Sequence, residues 1–179
     1  MTKTLAIIGT AGRKDDYSKL TAHHYQQMIL AAKKVIELEK VTHLVSGGAA
    51  WSDNIVLEFG WPTKIYLPAD KKCLDTAEYY HKRFFAKVPQ AARLNTLLSD
   101  NLEGLLEVFN HGNFLDRNLL VAKDADIFLA MTFGDKNEIK DGGTKHTVNA
   151  MLKQGKRGYH LSLIDLKLYK KCKIITCQF

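Results

Sequence analysis

Three short stretches of the chain combine glycine with residues able to hold an anion. In Leu44-Val-Ser-Gly-Gly-Ala-Ala-Trp-Ser-Asp53, the Gly47-Gly48 pair and the Ser46 hydroxyl follow an apolar run, and a helical pattern begins near Asp53. Strand, glycine turn and helix, in that order, point backbone N–H groups at a phosphate or carboxylate. Gly9-Thr10-Ala11-Gly12-Arg13 repeats the arrangement, with Arg13 placed either to close over such an anion or to serve as an exposed loop charge. Gly142–Thr147 repeats it again at the start of a helix. The first loop is not the dinucleotide Gly-x-Gly-x-x-Gly fingerprint, since of those glycines only Gly9 and Gly12 are present.

These loops share a site only if the elements between them place all three on one edge. Thr4 to Ile8, Val41 to Val45, Thr63 to Leu67, Asp126 to Thr132 and Tyr159 to Ile164 read as strands, with a short last strand at Lys173 to Cys177. Helical spacing runs from Ser18 or Lys19 to Glu39, from Ser52 or Asp53 to about Phe59, over Asn113 to Lys123, and over Gly142 to Gln154. This βαβ alternation predicts a parallel sheet, whose ligands bind beyond the carboxyl ends of the strands. Gly9–Arg13, Ser46–Asp53 and Ala69-Asp70 fall on that edge. Lys71 to His111 carries no strand signal and predicts two helices broken near Val88-Pro89, a helical insertion at about 71–111 that caps the site or offers an oligomer surface.

The chain has 179 residues and predicts one domain, 1–179. Its 46% hydrophobic and 25% charged composition is that of a globular protein, and no apolar run approaches the ~20 residues of a membrane span. With no signal-peptide layout at the N-terminus, the expected location is cytoplasmic. Three cysteines without a Cys-x-x-Cys pair fit idle thiols, and seven scattered histidines give no metal-ligand spacing, so no metal is expected. The net charge of +7 allows nucleic acid as a partner, yet its excess is concentrated late, from Lys153 to Lys173, with no aromatic residues interleaved at regular spacing along an obvious basic groove.

Taken in order, Ser46-Gly47-Gly48-Ala49 with Asp53, Pro68-Ala69-Asp70, Arg117-Asn118, Asp126 before a strand, and Gly143-Thr144-x-x-Thr147-x-x-Ala150 with Gly155 form one series. It resembles the YspA-like branch of the SLOG superfamily, relatives of the Lonely Guy phosphoribohydrolases and the DprA/Smf proteins, over roughly residues 3–70 and 113–163. The resemblance implies an α/β, Rossmann-like three-layer fold with a mostly parallel sheet and an extra helical insertion. It also implies a pocket lined by Gly9, Gly47, Gly48, Asp53, Arg117, Asn118, Gly143, Thr144 and Thr147. Chemistry agrees: Gly143 admits a phosphate close to the backbone, Thr144 and Thr147 add hydroxyls at a helix N-terminus, Lys145 adds charge, and Arg117 pairs with a phosphate. Asp53 would accept from ribose hydroxyls or a base amine. Lonely Guy enzymes carry a catalytic glutamate where this chain has Thr147.

The expected function is therefore binding of a nucleotide or nucleotide-derived molecule, of ADP-ribose or cyclic-nucleotide type, by a sensor or sequestering protein without a cofactor. The alternatives are an N-glycosidase using Asp53 or Glu58 as a relocated carboxylate, and DprA-like single-stranded DNA binding. A homo-oligomer is expected, with no membrane partner. Simpler roles stand beside each residue. Asp53 could cap its helix, Arg117 could pair with Asp116 or Asp124, and Asn118 could fix a turn. Trp51 could stack on a base or pack in the core, and Asp70 could be a loop acid.

Overall fold

The structure is a computed structural model that describes residues 2–99, 105–140 and 142–171. Its strands are β1 (Thr4–Gly9), β2 (His43–Ser46), β3 (Thr63–Leu67), β4 (Leu106–Asn110), β5 (Ile127–Thr132), β6 (Arg157–Ser162) and β7 (Leu168–Lys171). They form one sheet in the order β4-β3-β2-β1-β5-β6-β7, parallel throughout except for β7, which runs antiparallel to β6. The helices are α1 (Asp16–Lys19), α2 (Ala22–Glu39), α3 (Lys71–Lys87), α4 (Leu94–Ser99), α5 (Phe114–Asp124) and α6 (Gly142–Lys153), and a 3-10 turn spans Asp53–Glu58.

Central strands buried on both faces must be apolar at every position, which is why β1 and β5 read as unbroken runs. Leu5, Ile7, Leu44, Leu129 and Met131 face a layer made by α2, the 3-10 turn and Phe84 of α3. Ala6, Ile8, Val45, Phe128 and Ala130 face Val121 and Ala122 of α5 and Val148 and Met151 of α6. This is a three-layer, Rossmann-like α/β fold. The chain steps outward from β1 through β2, β3 and β4 on one side, and through β5 and β6 on the other. The switch point between β1 and β5 opens a crevice at their carboxyl ends.

Helix α2 is capped at both ends, and its last residue ties it to the sheet at the edge away from the crevice. Thr21 caps its start by accepting the His24 N–H, and Lys40 ends it in the left-handed region at φ 52. Glu39 then accepts both guanidinium nitrogens of Arg157, the Tyr159 hydroxyl and Lys3 Nζ at 2.7 Å. Those partners, Arg157 foremost, hold its carboxyl well below the usual carboxylate range.

The structure corrects the sequence reading in several places. Residues 106–110 are a strand, β4, within the stretch expected to be wholly helical. Leu106 and Val108 turn toward the core while Glu107 and Phe109 turn away, and an edge strand with one half-buried face shows too little apolar character to stand out from the leucines before it. The helix expected from Ser18 is split, because Leu20 and Thr21 are extended between α1 and α2. The helix after Asp53 is a 3-10 turn, and neither Ser52 nor Asp53 caps it with its side chain. An antiparallel edge strand does occur, at Leu168–Lys171, whereas Lys173 to Cys177 lies outside the described residues. Among the described residues no helix is long and apolar enough to cross a membrane.

Candidate functional site

The carboxyl ends of β1, β2 and β5 meet the N-termini of α5 and α6 around a cleft of about 540 Å³, well within the roughly 300–1,000 Å³ of small-molecule sites.

Asp53 ties two of the three glycine loops together. Its Oδ1 accepts the Gly9 N–H at 3.2 Å and its Oδ2 the Ala49 N–H at 3.3 Å. Ser46 Oγ donates to the Asp53 carbonyl at 3.1 Å and accepts the Gly48 N–H at 3.2 Å, so the β2 turn folds back on the same residue. Gly48 lies at φ +65, the left-handed region that glycine enters without strain. At Gly47 the requirement is space: a Cβ there would stand 2.5 Å from Arg117 Nη1. The guanidinium of Arg117 thus lies against bare backbone.

Arg117 comes from α5, whose start is fixed by a capping box between Asn113 and Asp116. It is 6% exposed; its Nη1 donates to the Tyr66 carbonyl at 3.3 Å. Its Nε has no hydrogen-bond partner among the described residues. Neither acid expected as a surface partner serves it: Asp116 closes the capping box, and Asp124 accepts the Tyr66 hydroxyl at 2.6 Å and lies 3.6 Å from Lys64 Nζ. Burial pulls the Arg117 pKa down, and the nearby Asp53 carboxylate opposes that pull.

The third loop opens α6. Thr144 Oγ1 donates to the Gly9 carbonyl at 3.0 Å and pins the helix start to the end of β1. Asn118 Nδ2 and Thr147 Oγ1 both donate to the Gly143 carbonyl, at 3.4 and 2.8 Å. The first-turn N–H groups of a helix have no intrahelical acceptor, and the axis carries partial positive charge at that end. Lys14, Arg13, Arg117 and Lys140 line the cleft against Asp15, Asp16 and Asp53, so side chains and helix together favour an anion. Asp16 is engaged already: its Oδ2 accepts the Thr10 hydroxyl at 2.7 Å, and Lys140 Nζ is 4.0 Å from its Oδ1.

Of the residues singled out from sequence, Gly9, Thr10, Arg13, Asp53, Arg117, Asn118, Gly143, Thr144 and Thr147 line the cleft. Gly47 and Gly48 do not line it: Gly47 lies against the Arg117 guanidinium, and Gly48 borders a small adjoining crevice. Ser46 is fully buried behind them. Trp51 is also fully buried, packed 5.0 Å from Phe84 and 6.4 Å from Tyr25 between ring centroids, which leaves no face for a base. Glu58 accepts from the Tyr25 hydroxyl at 2.8 Å and the Ala92 N–H at 2.9 Å, away from the cleft. Lys145 points outward to Glu138 at 3.0 Å, and Asp70 caps α3 by accepting the Cys73 N–H at 3.0 Å. Asp16, Phe114 and Lys140 are cleft residues that sequence reasoning missed. The Asn113-x-x-Asp116 capping pattern was the signal for Phe114, because it marks the helix start that carries this ring to the edge. Among the described residues no three His, Cys, Asp or Glu side chains gather into a metal site.

Burial pushes the Asp53 carboxyl up to about 6, against Arg117 and the backbone N–H groups that favour its charge. A carboxyl raised on folding stabilises the fold fully below its unfolded value near 3.8 and loses that contribution as pH rises through about 6. Asp53→Asn has no such proton to lose. Its stability relative to the native chain should therefore rise by on the order of 2–3 kcal/mol between pH 4 and pH 7, read by urea denaturation at each pH. A difference that stays flat with pH contradicts the buried, uphill ionisation. Taking the difference between the two chains cancels the opposite trend from Glu39, whose depressed carboxyl loses stability as pH falls.

No family model matches the chain. It is 29% identical over 178 residues to the uncharacterized protein R261 of Acanthamoeba polyphaga mimivirus, covering 89% of this chain and 96% of that one. A solved X-ray structure, TM1055, a Northeast Structural Genomics Consortium target, is 16% identical, with 88% of this chain and 72% of that chain covered at a TM-score of 0.47. The likeness to the viral protein spans nearly the full length of both chains, and the strand order itself makes this one Rossmann-like.

Proposed function

We propose that the protein binds a nucleotide-derived small molecule in the cleft between β1, α5 and α6, as a sensor or sequestering protein of the SLOG kind. The observation that carries this reading is Arg117. The buried Arg117 guanidinium, with Nε unmatched among the described residues, lines the same cleft as the N-terminus of α6. Buried donors ordinarily find partners, and an anionic group entering the cleft supplies one when the Arg117 side chain turns to meet it. Asn118, Thr144 and Thr147 donate to protein carbonyls, so they shape the phosphate end and leave the helix N–H groups to face the ligand.

Calorimetric titration with mononucleotides, ADP-ribose species and cyclic nucleotides tests this. At least one should bind and, at a hundredfold excess over its Kd, stabilise the fold by about 2.7 kcal/mol. No binding by any of them, with salt-dependent binding of single-stranded DNA instead, would transfer the function to the basic face of the C-terminal third.

A hydrolytic reading has one observation in its favour: Asp16 and Asp53 both line the cleft, and Asp53 titrates within the range of a general acid. Free base released from a mononucleotide, and lost in Asp16→Asn or Asp53→Asn, would establish it.

A further inference from the structure

Beside the main cleft lies a small crevice bounded by Gly48, Pro68, Ala77, Tyr80, Phe114 and Arg117. Arg13 borders both spaces. Its guanidinium carbon stands 4.9 Å from the centre of the Phe114 ring and 5.6 Å from the centre of the Tyr80 ring. A flat, delocalised cation of the chain itself thus covers two aromatic faces at the cleft wall. Among the described residues Phe114 is the one aromatic side chain lining the main cleft, and Arg117 approaches it as well, at 5.2 Å.

Arg13 is held there weakly. It is exposed, and it has no ion pair among the described residues. Its neighbours Gly12 at φ +72 and Lys14 at φ +49 both lie in the left-handed region, so the loop turns sharply on either side of it. An exposed cation–π contact is worth little compared with stacking of a whole base on the same ring. The space beside Arg13 is a narrow crevice bordered by these two rings, and the cleft at Arg117 and the start of α6 adjoins it.

Building on the nucleotide-binding reading, we propose that the Phe114 and Tyr80 faces are the base subsite, filled by Arg13 until a ligand's planar base displaces it. Phe114 and Tyr80 are then specificity-determining residues. They favour a phosphate ester that carries an aromatic base over a sugar phosphate or a bare anion. The displaced Arg13 is free to turn toward the ligand's phosphate.

The test compares AMP with ribose 5-phosphate by calorimetry on the native chain, Phe114→Ala, Tyr80→Ala and the conservative Phe114→Tyr, each checked for folding by circular dichroism. Phe114→Ala and Tyr80→Ala should weaken AMP roughly five- to a hundredfold, the span that base–aromatic stacking gives, and leave ribose 5-phosphate unchanged. Phe114→Tyr should retain AMP affinity within about threefold, since it keeps the ring face. Equal weakening of both ligands, or of neither, overturns the base subsite while leaving nucleotide binding in place. Failure of the native chain to bind any base-bearing phosphate overturns the binding reading itself, and this proposal with it.

Discussion

Arg117→Ala is expected to abolish measurable nucleotide binding and to lower the unfolding free energy by roughly 3–5 kcal/mol, the range for removing one member of a buried charged pair. Both effects follow from its position. The side chain fills the space over Gly47, where even a Cβ would collide with it, and its positive charge is the strongest influence favouring the buried Asp53 carboxylate. Without it, Asp53 keeps only backbone N–H donors, and the Tyr66 carbonyl loses a donor. The double variant Arg117→Ala with Asp53→Asn separates the two effects. Stability should return in part, because the isolated carboxylate is gone, while binding should stay lost. Urea denaturation and calorimetry read the two quantities independently. Unchanged stability in the single variant contradicts the electrostatic coupling, and retained binding removes Arg117 from the site.

Gly9→Ala is expected to cost roughly 3 kcal/mol or more, in the class of severe overpacking. A Cβ at Gly9 would stand 2.3 Å from the Met131 carbonyl oxygen and 2.5 Å from Ser52 Oγ. The first of these is backbone of the neighbouring central strand, which cannot swing aside. Relief requires β1 and β5 to part at the switch point itself. Gly9 also donates to Asp53 and accepts from Thr144, so the same movement releases both walls of the cleft. The measurement is a thermal or urea transition of the variant beside the native chain. A shift no larger than that of an ordinary surface substitution, about 0.5 kcal/mol, contradicts the close packing of the two strands.

The elements legible in the sequence were those whose periodicity is dictated by full burial. The strands β1, β2, β3, β5 and β6 show as apolar runs, and α2, α5 and α6 as stripes, because each has a whole face committed to the core. The three glycine loops followed from their place at strand ends, and they do meet at one crevice. What could not be read were features set by long-range contacts. Strand β4 depends on pairing with β3, which no local pattern announces. Trp51 sits at φ 63 in a loop, an unusual conformation for a bulky residue, and its burial comes from distant rings, Tyr25 of α2 and Phe84 from the insertion. For Asp53 the sequence left a pocket role and a helix cap side by side, whereas its carboxylate reaches back to Gly9, 44 residues earlier. Arg13 and Phe114 are about a hundred positions apart in sequence, so their contact was invisible until the fold joined the β1 loop to the start of α5.

The central claim, that the α6 N-terminus and Arg117 hold the anionic end of a nucleotide, is tested most directly by nuclear magnetic resonance. Uniformly ¹⁵N-labelled protein is titrated with the tightest-binding nucleotide of the calorimetric panel. The account predicts that the largest changes fall on the backbone amides of Gly143 and Thr144 and on the Arg117 Nε–H signal, which should shift as that donor gains a partner. Saturating binding that leaves those signals in place, with the changes gathered instead on Lys153, Lys167 and Lys170, would contradict it.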